Sequence, residues 1–229
     1  MTVLDDLRGG VVISCQPLPD EPADPMRDSY VQAKVAASAV LGGAVGVRIN
    51  GVDDIAAVRQ VVSVPIIGLV KHGPGPVVIT PTAGLAIDAA TAGADIVAVD
   101  ATDRPRPDDQ PFAQTVAAIH EKTTALILAD VSTLDEGLAA AEAGADAVAT
   151  TLAGYTSPGP GPDEPDLALL AALTARLDVP VIAEGRYRSG PDVQRAFDHG
   201  AHAVVVGNAI TSPLWLTRRL LAESGHRPR

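Results

Sequence analysis

The sequence predicts a (β/α)8 barrel, because a short glycine-led motif recurs four times along its 229 residues. Each copy begins with Gly-Ala and opens a run rich in valine, isoleucine and alanine. The copies begin at Gly43, Gly93, Gly144 and Gly200, so they are 50, 51 and 56 residues apart. That period matches two strand–helix units, a quarter of an eight-stranded barrel of roughly 250 residues.

Four further apolar runs lie between these motifs and bring the number of predicted strands to eight. They span residues 10–14, 65–70, 125–129 and 180–183. Parallel strands that are covered on both faces read as continuous apolar runs, as these do. Because 47% of the residues are hydrophobic and only 3% are aromatic, we expect a core of alanine, valine, leucine and isoleucine.

Helical segments alternate with the predicted strands. They have favourable ends, such as the acidic first turn of segment 52–61 and the glycines that follow segments 82–92, 133–143 and 189–199. The pattern predicts one domain over residues 1–229, with residues 223–229 as a frayed tail. The predicted helices span residues 28–41, 52–61, 82–92, 112–122, 133–143, 166–177, 189–199 and 213–222.

Composition and charge exclude several classes of protein. The formal net charge is −11 and no cluster of lysine and arginine stands out, so nucleic acid is not an expected partner. No run approaches the roughly 18 apolar residues of a membrane span, and the N-terminus lacks the pattern of a signal peptide. Cys15 is the sole cysteine, which excludes an intrachain disulfide and gives no support to a thiolate metal site. We expect a cytoplasmic protein with no membrane partner.

Polar residues follow nearly every predicted strand, at the end of the barrel where such proteins place their chemistry. Long loops rich in proline, glycine and aspartate lie on the same side. Packing alone does not explain why apolar strands each deliver a polar or glycine residue to one rim. The polar strand-end residues are Gln16, Arg48, Lys71, Asp100, Asp130, Thr150 and Glu184.

Lys71 and Glu184 are the strongest candidates for acid–base chemistry. Partial burial at a strand end lowers the pKa of a lysine, which would make Lys71 a usable base near neutrality. A carboxylate that follows an apolar strand, as Glu184 does, is uncommon unless it is paired or functional. The alternatives are a surface lysine and a structural ion pair of Glu184 with Arg48 or Arg186.

The remaining strand-end residues are suited to binding. Arg48 and Gln16 carry donors for a carbonyl or enolate oxygen. Asp100 and Asp130 either bind hydroxyl groups or orient Lys71, or they cap the turn that follows their strand. These two interpretations of the aspartates stay open from the residues alone.

Glycines after the last two strands indicate a phosphate site. Gly185 follows the seventh strand, and Gly207 with Asn208 follows the eighth. Barrels commonly bind phosphate at this position through backbone N–H groups and the start of a short helix.

Nine segments, in order and at barrel spacing, resemble the N-acetylmannosamine-6-phosphate 2-epimerase family of bacterial sialic-acid catabolism. The resemblance runs from Gly10 to Arg219, nearly the whole chain. Among its short sequences are Ile-Thr-Pro-Thr at 79–82 and Ala-Glu-Gly-Arg at 183–186. The segments span residues 12–16 with 19–22, 42–48, 65–71, 79–82, 100–102, 129–133, 150–156, 183–186 and 207–211.

The resemblance implies reversible conversion of N-acetylmannosamine 6-phosphate and N-acetylglucosamine 6-phosphate. Lys71 would be the base at C2, and Glu184 would be the partner acid. No metal, nicotinamide or nucleotide cofactor is implied, because the proton shift is redox-neutral. Members of the family are often dimers, so a homodimer is implied as well.

The resemblance also assigns binding roles. The C1 oxygen would be held by Gln16 and Arg48, and Asp130 would bind sugar hydroxyls and keep Lys71 in place. Thr150 and Tyr155 would line the pocket. The phosphate group would be received by Gly185, Arg186, Gly207 and Asn208.

Three departures from the family pattern concern the phosphate end and the lysine segment. Asn208 stands where relatives usually carry glycine or serine, and Ser212 stands where they carry arginine. The segment 71–75 is shorter than usual and lacks the basic residue that often follows the lysine. Loss of the arginine removes a phosphate partner, and we expect Arg186 or His72 to compensate.

Two other functions stay open at this point. A different barrel enzyme acting on a phosphorylated metabolite would rely on other rim residues, often a carboxylate pair or paired aspartates with a metal. A barrel that only binds a sugar phosphate would have no need of a buried base. The presence of both Lys71 and Glu184 argues against these alternatives.

Overall fold

The protein forms a closed barrel of eight parallel strands in chain order, as predicted. The computed structural model describes residues 2–156 and 164–225. The strands are β1 (Val11–Cys15), β2 (Gly46–Asn50), β3 (Ile66–Leu69), β4 (Ile96–Asp100), β5 (Leu126–Asp130), β6 (Ala147–Ala149), β7 (Val181–Glu184) and β8 (Ala203–Val206). Each strand pairs with the next, and β8 closes the barrel on β1 with Val205 opposite Val12.

All eight predicted helices are present, together with a short α1 (Val3–Leu7) before the first strand and α9 (Asn208–Thr211) after the last. The helix predicted over 166–177 ends early, at Thr174. Glu223, the first residue of the predicted tail, is the last residue of α10 (Pro213–Glu223), and residues 226–229 lie outside the described ones. The others are α2 (Ser29–Leu41), α3 (Val52–Arg59), α4 (Ala83–Thr91), α5 (Phe112–Lys122), α6 (Leu134–Glu142), α7 (Leu167–Thr174) and α8 (Gly190–Asp198).

The repeated Gly-Ala motif has one structural cause. Gly43, Gly93, Gly144 and Gly200 each lie just after a helix and have φ values between 87° and 115°, a conformation that favours glycine. From each of them the chain enters an even-numbered strand. The role predicted for the last three at helix ends is confirmed, and it explains why the motif returns once in every two strands.

Two apolar layers form the core. One lies between the strands and the surrounding helices, and the other fills the barrel interior. Helix α1 packs into the inner layer through Leu4 and Leu7, so it covers the N-terminal end of the barrel. The ring of His202 holds this helix, because its Nε2 lies 2.6 Å from the carbonyl oxygen of Leu4. The opposite end, where the strands finish, remains open.

Candidate active site

A cavity of about 370 Å³ opens at the C-terminal ends of β1, β7 and β8. Eight of the eleven residues that the sequence analysis assigns to a site line this cavity, and the proposed acid, base and phosphate-binding groups are among them. The other three, Arg48, Asp130 and Thr150, are buried beside it. The eight lining residues are Gln16, Lys71, Tyr155, Glu184, Gly185, Arg186, Gly207 and Asn208.

A buried ion-pair cluster borders the cavity. Arg48 is 1% exposed and donates to both carboxylate oxygens of Asp130, with Nη1–Oδ1 and Nη2–Oδ2 distances of 3.2 and 2.6 Å. The same guanidinium lies 2.9 Å from Oε2 of Glu184. The hydroxyl of Thr151 donates to Oδ1 of Asp130 at 2.6 Å. One guanidinium, from β2, therefore pairs with two carboxylates, which lie at the ends of β5 and β7.

Glu184 is the member of this cluster that reaches the cavity. Its side chain is 15% exposed, and burial raises its pKa to about 7, an increase to which the charge of Asp130 adds. Arg48, Thr151 and Lys71 act in the opposite direction. Oε2 of Glu184 is buried and accepts no well-aligned hydrogen bond among the described residues. A carboxyl group in this state can hold or release a proton near neutral pH.

Lys71 lies just beyond β3 at the edge of the cavity. Its backbone N–H donates to Oδ1 of Asn50 at 2.8 Å, and it forms an isolated antiparallel bridge with Ile79. Although the residue is open to the cavity, the protein around its ammonium group lowers the pKa through loss of hydration, and the charge of Arg48 lowers it further. Glu184 and Asp130 oppose this decrease. Within the described chain the Lys71 ammonium forms no ion pair, so it is free to act on a ligand.

Thr150 does not line the cavity, contrary to its predicted place. Its hydroxyl accepts from the backbone N–H of Glu184 at 3.0 Å and donates to the carbonyl of Glu184 at 2.8 Å. It therefore fixes the end of β7, and its neighbour Thr151 occupies the cavity wall instead. Asp130 is also fully buried, with its carboxylate engaged by Arg48 and Thr151 rather than directed at a ligand.

Asp100, whose role the sequence left open, anchors the loop that follows β4. Its carboxylate accepts from the backbone N–H and the hydroxyl of Thr102, at 3.0 and 2.6 Å, and from Arg104 at 2.6 Å. The guanidinium of Arg106 donates to the Asp100 carbonyl at 2.6 Å. Of the two interpretations, the structure supports the one in which this aspartate stabilises its own turn.

The segments after β7 and β8, where the sequence predicts a phosphate site, form one wall of the cavity. Gly185 and Arg186 both have positive φ values, 109° and 63°. The guanidinium of Arg186 donates to the carbonyls of Ala153 and Gly154, at 2.9 and 3.4 Å, and lies 4.0 Å from the ring centroid of Tyr155. Arg186 is therefore committed largely to holding the loop after β6.

Gln16 donates through Nε2 to the Ser14 hydroxyl at 2.8 Å, whereas its Oε1 is buried without a partner among the described residues.

Several lining residues were not predicted from the sequence. His72, offered as a phosphate partner, does not line the cavity, but Arg188 does. The one sequence signal that could have identified Arg188 is its position four residues beyond Glu184. The lining residues that were missed are Ser14, Pro17, Pro19, Thr151, Leu152, Tyr187, Arg188, Val205, Ala209 and Trp215.

No group of three or more histidine, cysteine, aspartate or glutamate side chains in residues 2–156 and 164–225 is arranged to hold a metal ion. Across the same part of the chain, the helices are all too short or too polar to cross a membrane.

Fold and site together define a (β/α)8-barrel protein with Lys71, Glu184 and the glycines after β7 and β8 in one cavity. The chain belongs to the family described as "Putative N-acetylmannosamine-6-phosphate epimerase", whose model matches residues 32–224. This result confirms the resemblance drawn from the short segments of the sequence.

Individual relatives agree with the family match. The chain is 45% identical to a protein of Cutibacterium acnes over 217 residues, which cover 94% of this chain and 93% of that one. It is 41% identical to a protein of Caldanaerobacter subterraneus over 225 residues, covering 96% and 93%. Both carry the name "Putative N-acetylmannosamine-6-phosphate 2-epimerase".

A solved structure extends the likeness to three dimensions. The N-acetylmannosamine-6-phosphate 2-epimerase from Clostridium perfringens superposes with a TM-score of 0.91 at 37% identity. The alignment covers 97% of this chain and 96% of the other. The match therefore includes the whole barrel and the loops that carry the cavity.

Proposed function

We propose that the protein catalyses the reversible C2 epimerisation of N-acetylmannosamine 6-phosphate to N-acetylglucosamine 6-phosphate. The observation that carries the proposal is the pairing of Lys71, whose pKa is lowered, with Glu184, whose pKa is raised to about 7, in one cavity. A carboxyl group with a pKa near 7 exchanges protons readily near neutral pH, and a lowered pKa increases the fraction of a lysine that is present as the neutral amine. Membership of the epimerase family supports the same reaction.

The reaction removes one proton from C2 and returns one to it, so the sugar is neither oxidised nor reduced overall. The proton on C2 becomes acidic only after the ring opens and C1 is an aldehyde. Neutral Lys71 takes that proton, and the electron pair of the C–H bond moves through C1–C2 to the C1 oxygen, forming an enolate. A proton then returns to the opposite face of C2, and the ring closes.

Glu184 supplies the acid of this scheme. In its protonated state it can donate to the enolate carbon or to the ring oxygen, and the neighbouring carboxylate of Asp130 favours that state. Arg48 places a fixed positive charge 2.9 Å from Oε2 of Glu184. That charge stabilises the carboxylate that forms when Glu184 donates its proton. Asp130 is a positioning residue, because it acts through its two hydrogen bonds with Arg48.

The size and chemistry of the cavity suit a phosphosugar. A volume of about 370 Å³ is at the small end of the range for ligand pockets. Gln16 offers an unpartnered amide oxygen for a hydroxyl or N-acetyl N–H group. Gly185, Gly207 and Asn208 also line the cavity, and Gly185, which has a positive φ and no side chain, permits close approach of a phosphate to the backbone.

The test is proton NMR of N-acetylmannosamine 6-phosphate with the purified protein in D₂O. We expect the C2 proton signal to disappear while N-acetylglucosamine 6-phosphate forms with deuterium at C2. Binding of the sugar without exchange would favour a barrel that only binds phosphosugars. Exchange or turnover restricted to another sugar phosphate would favour a different isomerase, and either result would overturn the proposal.

We further propose that the protein assembles as a homodimer. Helix α10 buries none of its residues, and Leu216 and Leu220 are 38% and 68% exposed. An apolar groove of about 590 Å³ lies beside α2, lined in part by Val11 and Ile13, and in the proposed dimer it receives these leucines from the second copy. Burial of such patches is a common reason for association.

Light scattering after size-exclusion chromatography tests the dimer. We expect the mass of two chains for the wild-type protein and of one chain for Leu220→Glu. Val61→Glu, at an exposed position after α3, provides a matched control that retains the dimer. A wild-type mass of one chain at micromolar concentration would exclude the assembly.

A further inference from the structure

We infer that Arg188, stacked on the indole of Trp215, is the cation that binds the phosphate group of the substrate. This inference rests on the proposed function and replaces the expectation that Arg186 or His72 compensates for the arginine missing at position 212. It names a specificity-determining residue two positions beyond the segment shared with the family.

Arg188 is placed at the phosphate end of the cavity. Arg188 and Trp215 line the same cavity as Gly207 and Asn208. The guanidinium lies 5.5 Å from the ring centroid of Trp215, within the range of a cation–π interaction. Its backbone N–H donates to Oδ2 of Asp192 at 3.1 Å, which ties the residue to the start of α8.

The charge of Arg188 is available to a ligand. Among the residues that the structure describes, its guanidinium forms no ion pair and no side-chain hydrogen bond. In a chain with a formal net charge of −11, an unpaired cation in a cavity is a local exception. A phosphate dianion needs such a charge, and a guanidinium matches its geometry with paired N–H donors.

The other cations near the cavity are already committed. Two nitrogens of Arg186 donate to carbonyls of the loop after β6, and its ring contact is with Tyr155. Lys71 lies in the acid–base part of the site with Glu184. Arg48 is buried between two carboxylates. Among the described lining residues, Arg188 is therefore the arginine whose guanidinium has no hydrogen-bond or ion-pair partner.

Ser212 has a structural role at the position where relatives carry the arginine, so it supplies no charge for the phosphate group. Its side chain is 1% exposed and its hydroxyl accepts from the backbone N–H of Trp215 at 3.2 Å, so it caps α10. That cap holds the backbone of Trp215 in the first turn of the helix. The position that usually carries the arginine here anchors the backbone of the residue whose ring Arg188 faces.

Stacking has a specific role for a long, exposed side chain. A free arginine loses considerable rotamer entropy when it binds a ligand, and a ring that holds the guanidinium beforehand reduces that loss. Trp215 contacts a second arginine, Arg219, at 5.4 Å from its centroid. Arg219 pairs with Glu223 at 2.6 Å and does not line the cavity. It therefore provides a matched control on the same indole ring.

The experiment compares Arg188→Ala with Arg219→Ala. For Arg188→Ala we expect KM for the phosphosugar to rise about 10- to 100-fold with kcat within threefold of wild type, because loss of a charge-assisted contact weakens binding. Competitive inhibition by inorganic phosphate should weaken by a similar factor. Arg188→Lys should lie between the two, since it retains the charge but not the fork. Arg219→Ala should match the wild-type protein.

The outcomes separate this inference from the proposed function. An unchanged KM and unchanged phosphate inhibition in a folded Arg188→Ala protein would overturn the role of Arg188, whatever the reaction. If the wild-type protein shows no exchange at C2, the proposed reaction fails, and calorimetric binding of inorganic phosphate still tests Arg188. Loss of phosphate binding in Arg188→Ala alone would support it in that case, and equal binding in all variants would reject it. Far-ultraviolet circular dichroism confirms that each variant is folded.

Discussion

Two clusters of arginine and acidic side chains lie at the C-terminal ends of the strands, and they differ in whether a carboxylate oxygen is left without a hydrogen-bond donor. At the ends of β5 and β7, Arg48 is shared by Asp130 and Glu184. At the end of β4, the carboxylate of Asp100 accepts hydrogen bonds from Thr102 and Arg104. The first cluster borders the cavity that holds Lys71, whereas the second holds its own loop in place.

Burial alone does not distinguish the clusters. It raises the pKa of Glu184 and also that of Asp100. The difference is that Asp100 receives three hydrogen bonds within its loop, whereas Glu184 keeps a buried oxygen without a well-aligned donor and faces open space. A polar residue at a strand end is a candidate for chemistry when its neighbours leave it unsatisfied toward a cavity.

The largest expected effect is that of Lys71→Ala. Removal of the general base should lower the rate of C2 proton exchange by about 1000-fold, within the range for such groups. Ligand binding should remain within a few fold, since the phosphate end is intact. The measurement is loss of the C2 proton signal in D₂O, with binding followed by calorimetry.

Lys34→Ala is the matched control for that variant. Lys34 lies in α2, with its ammonium 5.1 Å from the ring centroid of Tyr30, and does not line the cavity. Its replacement should leave exchange unchanged. Exchange at the wild-type rate in Lys71→Ala would show that another group is the base.

The next largest effect is expected for Glu184→Gln, and it includes the pH dependence. An amide cannot deliver a proton, so kcat should fall about 100-fold. Because the pKa of Glu184 is raised to about 7, wild-type kcat/KM should decrease as pH rises through that value. The variant should lack this decrease. A decrease that persists in Glu184→Gln would assign it to a different group, and Glu121→Gln, an exposed position on α5, is the control.

The same variant has a predicted effect on stability. Folding favours the protonated form of Glu184, since its pKa is raised from 4.5 to about 7. Its contribution to the free energy of unfolding is therefore complete below pH 4.5 and is lost as pH rises to about 7. That loss is about 3 kcal/mol at most. Urea unfolding at several pH values should show a flatter dependence for Glu184→Gln over this window.

The sequence predicted the barrel more completely than the site. Strands and helices follow from local patterns, such as glycines with positive φ after helices, which recur at a fixed period. Gln16, Lys71 and Glu184 were found because strand ends meet at one rim. Thr150 and Thr151 are adjacent, and which of them faces the cavity depends on the hydrogen bonds that Thr150 makes with Glu184.

Other features depend on contacts between distant segments. Trp215 belongs to the last helix, α10, yet it lines the cavity with Arg188. No local pattern indicates that two residues 27 positions apart stack on each other. Asp100 and Asp130 likewise read alike in the sequence, since each ends an apolar strand. Their hydrogen-bond partners, which separate them, come from Thr102 and Arg104 in one case and from Arg48 in the other.

A smaller effect on activity is expected for Asp130→Asn. Loss of the charge leaves Arg48 with a single carboxylate partner, so the free energy of unfolding should fall by about 2 kcal/mol. The charge of Asp130 raises the pKa of Glu184, and its removal should lower that pKa. We expect kcat to fall about 10-fold and the alkaline decrease in kcat/KM to move to lower pH. A shift to higher pH would contradict the assigned coupling.

Asp100→Asn should have the smallest effect on activity and tests the comparison most directly. The variant weakens the hydrogen bond to Arg104 and leaves that guanidinium without its carboxylate, so a stability loss of about 1–2 kcal/mol is expected in urea unfolding. Because Asp100 does not line the cavity, kcat and KM should stay within twofold of wild type. A large loss of kcat with full stability would instead place Asp100 in the chemistry. The two clusters would then form one extended site, and burial with hydrogen-bond saturation would no longer distinguish structural carboxylates from reactive ones at this rim.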